Sequence, residues 1–269
     1  MPADGPLAIT PDVHLIRSLP DHDGPDRVAI NSLVLRSPED TVLVDTGAAT
    51  DRAAWWAQVE SVVDPADVRW IFLSHDDIDH IGNLAEALDR CPDATVVTTW
   101  QLGRRLAAAL DVPLARCRWL NDGERTHLGG REVVAVRPPA YDSPTTRGLY
   151  DVGSKVYWAA DCFGLAVPHP VDDVSQLDRD VWDGGALRFG TLLSPWVTQV
   201  DPGRWRQAVS KVAALDLHAL TGAHGPVIRR RDVDHALDLM DEQPDHPEPP
   251  AQDQRQLDVA SEVKTSGGE

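Results

Sequence analysis

The sequence predicts an α/β (α+β) fold of four layers, two sheets face to face with helices on the outside of each, in one domain over residues 1–240. Two observations carry this expectation. Short β-branched runs separated by turn residues pass into helical patterns twice, once in each half of the chain. The 269 residues are 42 % hydrophobic with nine Trp, which is enough apolar surface to fill a core of that size.

Element by element, VHLIR, INSLVLR and TVLVDTG read as opening antiparallel strands, interrupted by the turn-rich DHDGPD and SPED. Thr50 stands where it can cap a helix over DRAAWWAQVESVV, with Ala53, Trp56, Val59 and Val62/Val63 on one face. RWIFL is then a strand, SHDDIDH a loop, IGNLAEALDRC a helix, ATVVTT a strand and WQLGRRLAAAL a helix. Strands return from Arg118 in REVVAVR, TRGLYDV and KVYWAAD. PGRWRQAVSKVAALD places Pro202 in a first helical turn, where its missing N–H costs nothing, and aligns Trp205, Ala208, Val212 and Leu215. HALTGAHG reads as a strand ending in a turn, and VDHALDLM as a last helix. Residues 241–269, with eight acids against two bases and few apolar side chains, are expected to be a disordered acidic tail.

Charge removes several functional classes. Forty-three Asp+Glu against 25 Lys+Arg give a net charge of −18, which repels nucleic-acid phosphates and anionic lipid, so neither nucleic acid nor membrane is an expected partner. The longest apolar runs, AAWWA and LAAAL, fall far short of the roughly 18 residues of a spanning helix. MPADGPLAITPDVHLIRS lacks a basic first region and an apolar stretch, so the expected compartment is the cytoplasm. Cys91, Cys117 and Cys162 are too scattered for a disulfide framework or a CxxC site. There is no GxGxxG, GxxxxGK[ST] or GxSxG, hence no motif for a nucleotide-phosphate loop or a serine elbow.

The segment that carries chemistry is Ser74-His75-Asp76-Asp77-Ile78-Asp79-His80, directly after the apolar RWIFL. Two imidazoles and three carboxylates within six residues repel and desolvate one another unless a cation neutralises them. The bland alternative is a solvated acidic loop, with Asp79 favouring the start of the next helix. Asp142 in a turn, Asp161 at the end of KVYWAAD and His224 at the end of HALTGAH also border strands, so all could converge on one sheet edge. His14, His22, His127, His169, His218, His235 and His246 have no such partners and are expected to be structural or exposed. Tyr141, Tyr150, Trp158 and Trp196 lie near the candidates in sequence and are expected to pack the core or wall the site, and Arg229–Arg231 is expected to be a surface feature at a helix start.

IFLSHDDIDHIGNL, with LVDTG upstream and AADCFG and TGAHGPV downstream, resembles the metallo-β-lactamase fold superfamily and its HxHxDH metal motif, over about residues 10–240. The acid at Asp77, the pattern VDPADVRWIFLSHDDIDHIGNL and the approach DSPTTRGLYDVGSKVYWAADCFG resemble the oxygen-binding di-iron branch, the flavodiiron proteins. The resemblance implies that His75, Asp77 and Asp142 bind one metal, that Asp79, His80 and His224 bind a second, and that Asp161 bridges them. It implies that Asp45 of LVDTG braces the metal loop. Asp142 departs from the family, which has histidine there; this could weaken the first site, harden it toward iron or manganese, or leave a single metal.

Three imidazoles and four carboxylates form an oxygen-rich, sulfur-free set, suited to Fe or Mn better than to a closed structural zinc site. Two divalent ions would be just neutralised by it, whereas two ferric ions would leave about +2 for a bridging oxide or hydroxide. The leading expectation is a non-haem di-iron protein that binds or reduces O₂ or NO. Family reductases append a flavodoxin domain where this chain continues into its acidic tail, so electrons would come from a separate donor protein; a homodimer is the assembly considered. The alternative is a hydrolase of an ester, lactone, thioester or phosphoester using metal-activated water, with zinc or manganese in place of iron and Asp79 orienting the nucleophile. A non-catalytic descendant of the fold is the third reading.

Overall fold

The computed structural model describes residues 5–19, 27–38, 40–248 and 254. The first half of the chain forms a sheet of seven strands in sequential order: β1 (Leu7–Thr10), β2 (Val13–Ser18), β3 (Ile30–Leu35), β4 (Thr41–Val44), β5 (Val68–Phe72), β6 (Thr95–Thr98) and β7 (Cys117–Trp119). The opening strands pair antiparallel as expected, and β4 through β7 are parallel. The switch follows from the connections, since α1 (Arg52–Val62), the α2–α3 pair (Ile78–Ile81 and Leu84–Arg90) and α4 (Trp100–Ala109) lie between successive parallel strands.

The second sheet runs β13-β12-β11-β10-β9-β8, built from β8 (Arg125–Leu128), β9 (Arg131–Val136), β10 (Gly148–Asp151), β11 (Val156–Trp158), β12 (Ala219–Thr221) and β13 (Ile228–Arg229). Its parallel pair, β11 and β12, is linked through α5 (Arg179–Leu193) and α6 (Pro202–Ala213), and α7 (Arg230–Glu242) follows β13. Three apolar layers hold the sandwich together. Val13, Leu15, Leu33, Val44 and Phe72 of one sheet meet Val133, Leu149, Trp158 and Ala219 of the other. Outside the first sheet, Leu43 and Ile71 pack on Trp55, Trp56, Leu84 and Leu102, while outside the second Tyr157 and Leu220 pack on Trp182, Trp205, Val233 and Leu239. The four-layer α–β–β–α arrangement read from the sequence is therefore the fold.

Several local expectations need correction. Thr50 does not cap α1; it lies in a 3-10 turn, Ala49–Asp51, and the helix starts after Asp51 without a side-chain cap. Ala53 is exposed, because the buried face turns on the adjacent Trp55 and Trp56 with Val59. Asp79 and His80 sit on the short helix α2, not in a loop, and the helix is broken at Gly82–Asn83 before α3. The 15-residue α5 escapes the sequence reading because its three glycines and exposed Val181 and Leu192 blur the helical stripe. The boundary drawn at Met240 falls inside α7, which runs to Glu242, and the next residue, Gln243, is buried against Leu187 and Thr191. Residues 249–253 and 255–269 of the expected tail, and His22, lie outside the described residues.

Candidate metal centre

The candidate side chains leave the framework beyond the carboxyl ends of strands, in the loops there or on the short helix that follows β5. His75 follows β5 by three residues, Asp161 follows β11 and His224 follows β12, all strands with a parallel neighbour. Asp77 immediately precedes α2, Asp79 and His80 are on it, and Asp142 lies in the loop between β9 and β10. The carboxyl ends of parallel strands are where α/β folds leave room for ligands, because the chain must turn away there.

The seven residues named in the sequence converge. His75 with Asp77 and Asp142, Asp79 with His80 and His224, and His75 with His80 and Asp161 each present donor atoms within 4.8 Å of one another. Asp161 lies between the two sides: Oδ2 is 3.3 Å from His75 Nε2, while Oδ1 is 2.8 Å from His80 Nε2 and 3.4 Å from His224 Nε2. His224 Nε2 is also 3.4 Å from Asp79 Oδ2, and His75 Nε2 is 3.8 and 3.9 Å from Asp77 and Asp142.

The outer nitrogens explain why the inner ones point inward. His80 Nδ1 donates to Asp45 Oδ2 at 2.9 Å, and His224 Nδ1 donates to the Ala29 carbonyl at 2.7 Å. His75 Nδ1 lies 3.0 Å from Ser74 Oγ, whose hydroxyl donates to Asp45 Oδ2 at 2.7 Å. With Nδ1 acting as donor, each ring in its neutral form would present its Nε2 lone pair to the centre, the tautomer that metal ligation requires. Asp45 is fully buried and takes further hydrogen bonds from the Ser74 amide and Trp158 Nε1, so it braces the loop without touching the centre. It holds a left-handed backbone (φ 58°), as does Ala160 (φ 53°) beside Asp161. Such strain persists where surrounding contacts over-determine it. Gly82 lets the two loops meet, since a Cβ there would stand 2.4 Å from the Ala49 amide nitrogen.

Inside this ring, His75 Nε2, His80 Nε2 and Asp161 Oδ1 are buried without a hydrogen bond of good geometry, although His80 Nε2 and Asp161 Oδ1 stand 2.8 Å apart. Buried polar atoms without well-formed hydrogen bonds are costly, and a cluster of them lined by imidazoles and carboxylates fits bound cations. The electrostatics show a centre that favours positive charge. Burial lowers the His80 imidazole, yet Asp161 and Asp45 outweigh it and hold it well above its ordinary value. Burial raises the Asp161 carboxyl, and His80, His224 and His75 outweigh it and hold it well below. Asp77 is raised, first by burial and then by repulsion from Asp142 and Asp161.

Other groups were not assigned roles by the sequence. Ser74 links His75 to Asp45, and its only sequence signal was its place before the motif. Asp76 turns away from the centre to Arg105 and to Thr145 Oγ1, tying the His75 loop to the Asp142 loop. Phe189 of α5 packs on His224 with ring centroids 5.5 Å apart. Among the aromatics, Trp196 packs on Tyr141 and donates to its carbonyl, supporting the approach to Asp142, whereas the Tyr150 hydroxyl is bound to Asp216 O. His127, His169 and His218 are exposed, His14 and His246 half-buried, and His235 pairs with Asp183. Arg230 and Arg231 open α7 as surface ion pairs. A cavity of about 530 Å³ is lined by Leu15, Ala29, Asn31, Val167 and Gly225, and by none of the seven side chains. No helix among the described residues is long and apolar enough to cross a membrane.

The metallo-beta-lactamase superfamily model matches residues 25–140. A type A flavoprotein, fprA, of Rhodobacter capsulatus is 26 % identical over 243 residues, covering 86 % of this chain and 54 % of that protein. Rubredoxin oxygen:oxidoreductase from Desulfovibrio gigas superposes with a TM-score of 0.78 at 19 % identity, over 88 % of this chain and 61 % of that one. The flavodiiron protein of Giardia intestinalis gives 0.78 at 15 % identity, over 89 % and 59 %. The chain thus spans about half the length of the curated relative and three-fifths of the solved chains. The family match covers residues 25–140, and the solved structures that superpose on the chain, a flavodiiron protein among them, share its fold at under 20 % identity.

Proposed function

We propose that the chain is a dinuclear, non-haem di-iron protein that binds or reduces O₂ or NO. His75, Asp77 and Asp142 hold one ion, Asp79, His80 and His224 hold the other, and Asp161 bridges. The observation that carries this reading is the split of Asp161, whose two oxygens face different imidazoles, Oδ2 toward His75 and Oδ1 toward His80 and His224, in a buried cluster of donors. Three imidazoles and four carboxylates suit iron, and the name of the Desulfovibrio neighbour, an oxygen oxidoreductase, supports the choice of ligand. When bound, the two ions supply redox equivalents and a Lewis-acidic face for a diatomic ligand.

The chain's own groups define the remaining roles. Asp45 and the Ala29 carbonyl keep His80 and His224 in the ligating tautomer. Asp79, one-quarter exposed and 3.4 Å from His224 Nε2, is open to solvent, so its carboxylate can orient an incoming ligand or hold a proton beside it. Reducing equivalents come from a separate donor protein, and the protein works in the cytoplasm.

The deciding experiment is metal analysis of protein from cells grown without added metal, with visible absorption before and after anaerobic reduction and return to air. Near two irons per chain, with a band that bleaches on reduction and returns in air, is expected. Colourless protein carrying zinc, active on an ester, lactone or phosphoester, would overturn this reading in favour of the hydrolase.

A further inference from the structure

The loop that carries Asp142 begins and ends with arginine, Arg137 after β9 and Arg147 before β10. Arg147 is only 9 % exposed; among the described residues its Nε has no hydrogen-bond partner, and its guanidinium bonds only the carbonyl of its neighbour, Thr146. Arg137 Nε is likewise buried and partnerless, and its other end makes one long contact, 3.4 Å, to the Pro144 carbonyl above the Tyr141 ring. Val136 and Gly148 are register partners, so Arg137 and Arg147 stand opposite each other where the loop leaves the sheet; burial lowers the Arg147 pKa, and Arg137 lowers it further.

Among the described residues, neither forms an ion pair with Asp or Glu. The contrast is Arg131, whose side chain is as buried, at 10 %, and which is held by both Asp12 and Asp151. The carboxylate nearest in influence, Asp122, accepts the Arg137 backbone amide at 2.6 Å and does not reach ion-pair distance of either guanidinium. A chain with 43 acidic residues thus leaves two adjacent guanidiniums without a carboxylate, although a buried unpaired charge is among the costliest features a fold can carry.

We propose that Arg137 and Arg147 form a binding site for a small oxyanion, a phosphate or carboxylate group, on the loop that carries Asp142. The guanidinium fork suits two oxygens of one anion, and an anion shared by both arginines satisfies their free Nε–H groups and cancels their repulsion. The Arg147 amide donates to Ser74 O, so an occupant is one hydrogen bond from the His75 loop. Its binding therefore stiffens the connection between the two loops without entering the centre.

The test is calorimetric titration of the metal-loaded protein with inorganic phosphate, repeated with sulfate as competitor and with chloride as a control for ionic strength. One saturable site that sulfate competes for is expected, weakened about tenfold or more in both Arg147→Gln and Arg137→Gln, as loss of a charge-assisted pair implies. Arg104→Gln, on the exposed face of α4, leaves the affinity unchanged. Should Arg147→Gln fail to fold, the half-exposed Arg137→Gln decides alone. Absence of saturable binding to the wild-type protein, or phosphate binding indifferent to both substitutions and hence seated on the metals, overturns the site.

Discussion

The two sides of the centre are built to different standards. On the inner side His80 and His224 are buried, each is oriented by an outer acceptor, and Asp79 is one-quarter exposed. On the outer side His75 is buried, but the Asp77 side chain is 52 % exposed, Asp142 is 21 % exposed, and the two carboxylates repel each other. Two imidazoles with one carboxylate face one imidazole with two carboxylates. The inner side is preorganised by remote acceptors and carries one carboxylate, whereas the outer side is oxygen-rich, carries two and is more exposed at Asp77. That asymmetry predicts two ions of unequal affinity.

The comparison breaks altogether if Asp161 is removed. Asp161→Ala is expected to lose both ions, read as metal per chain by mass spectrometry, and unchanged content would exclude the bridging role. Asp45→Ala strikes only the inner side and the His75 loop. Four donors would lose a buried carboxylate. The cost is about 3–5 kcal/mol in denaturant unfolding of the metal-free protein, with inner-site affinity falling about 10–100-fold. A loss below about 1 kcal/mol would show that Asp45 is not the brace.

Chelation sharpens the contrast without mutation. Metal release into excess chelator should be biphasic, the first ion leaving from the outer side, and Asp142→His should slow that first phase and raise outer occupancy. A single phase, or an unaltered metal ratio in Asp142→His, would mean that the exposed carboxylates do not limit binding. The smallest effect is expected from Arg105→Ala. Its ion pair with Asp76 is half-exposed and contributes about 0.5 kcal/mol, so thermal stability should fall slightly while metal content stays the same.

Much of the centre was legible because metal chemistry compresses into local spacing. His75, Asp77, Asp79 and His80 lie within six residues after one apolar strand, and no packing argument accounts for so many ionisable groups in so short a stretch. Asp161 and His224 were legible because each follows a short apolar strand. Thr50 and Ala53 misled because cap and face are decided by where the chain enters the layer, here through a 3-10 turn that rotates Trp55 inward.

What the sequence determined by itself was the alternation of strands and helices that forces four layers, and the donor types available at the strand ends. Both are properties of neighbours along the chain. The tertiary structure decided which nitrogen of His80 and of His224 faces inward, because the partners are remote: Asp45 is 35 residues from His80, and Ala29 is 195 from His224. It also decided that Arg137 and Arg147 are left without carboxylates among the described residues while Arg131 has two. Hydrogen bonds and ion pairs act over a few ångströms of space, and only folding brings such distant residues within that range.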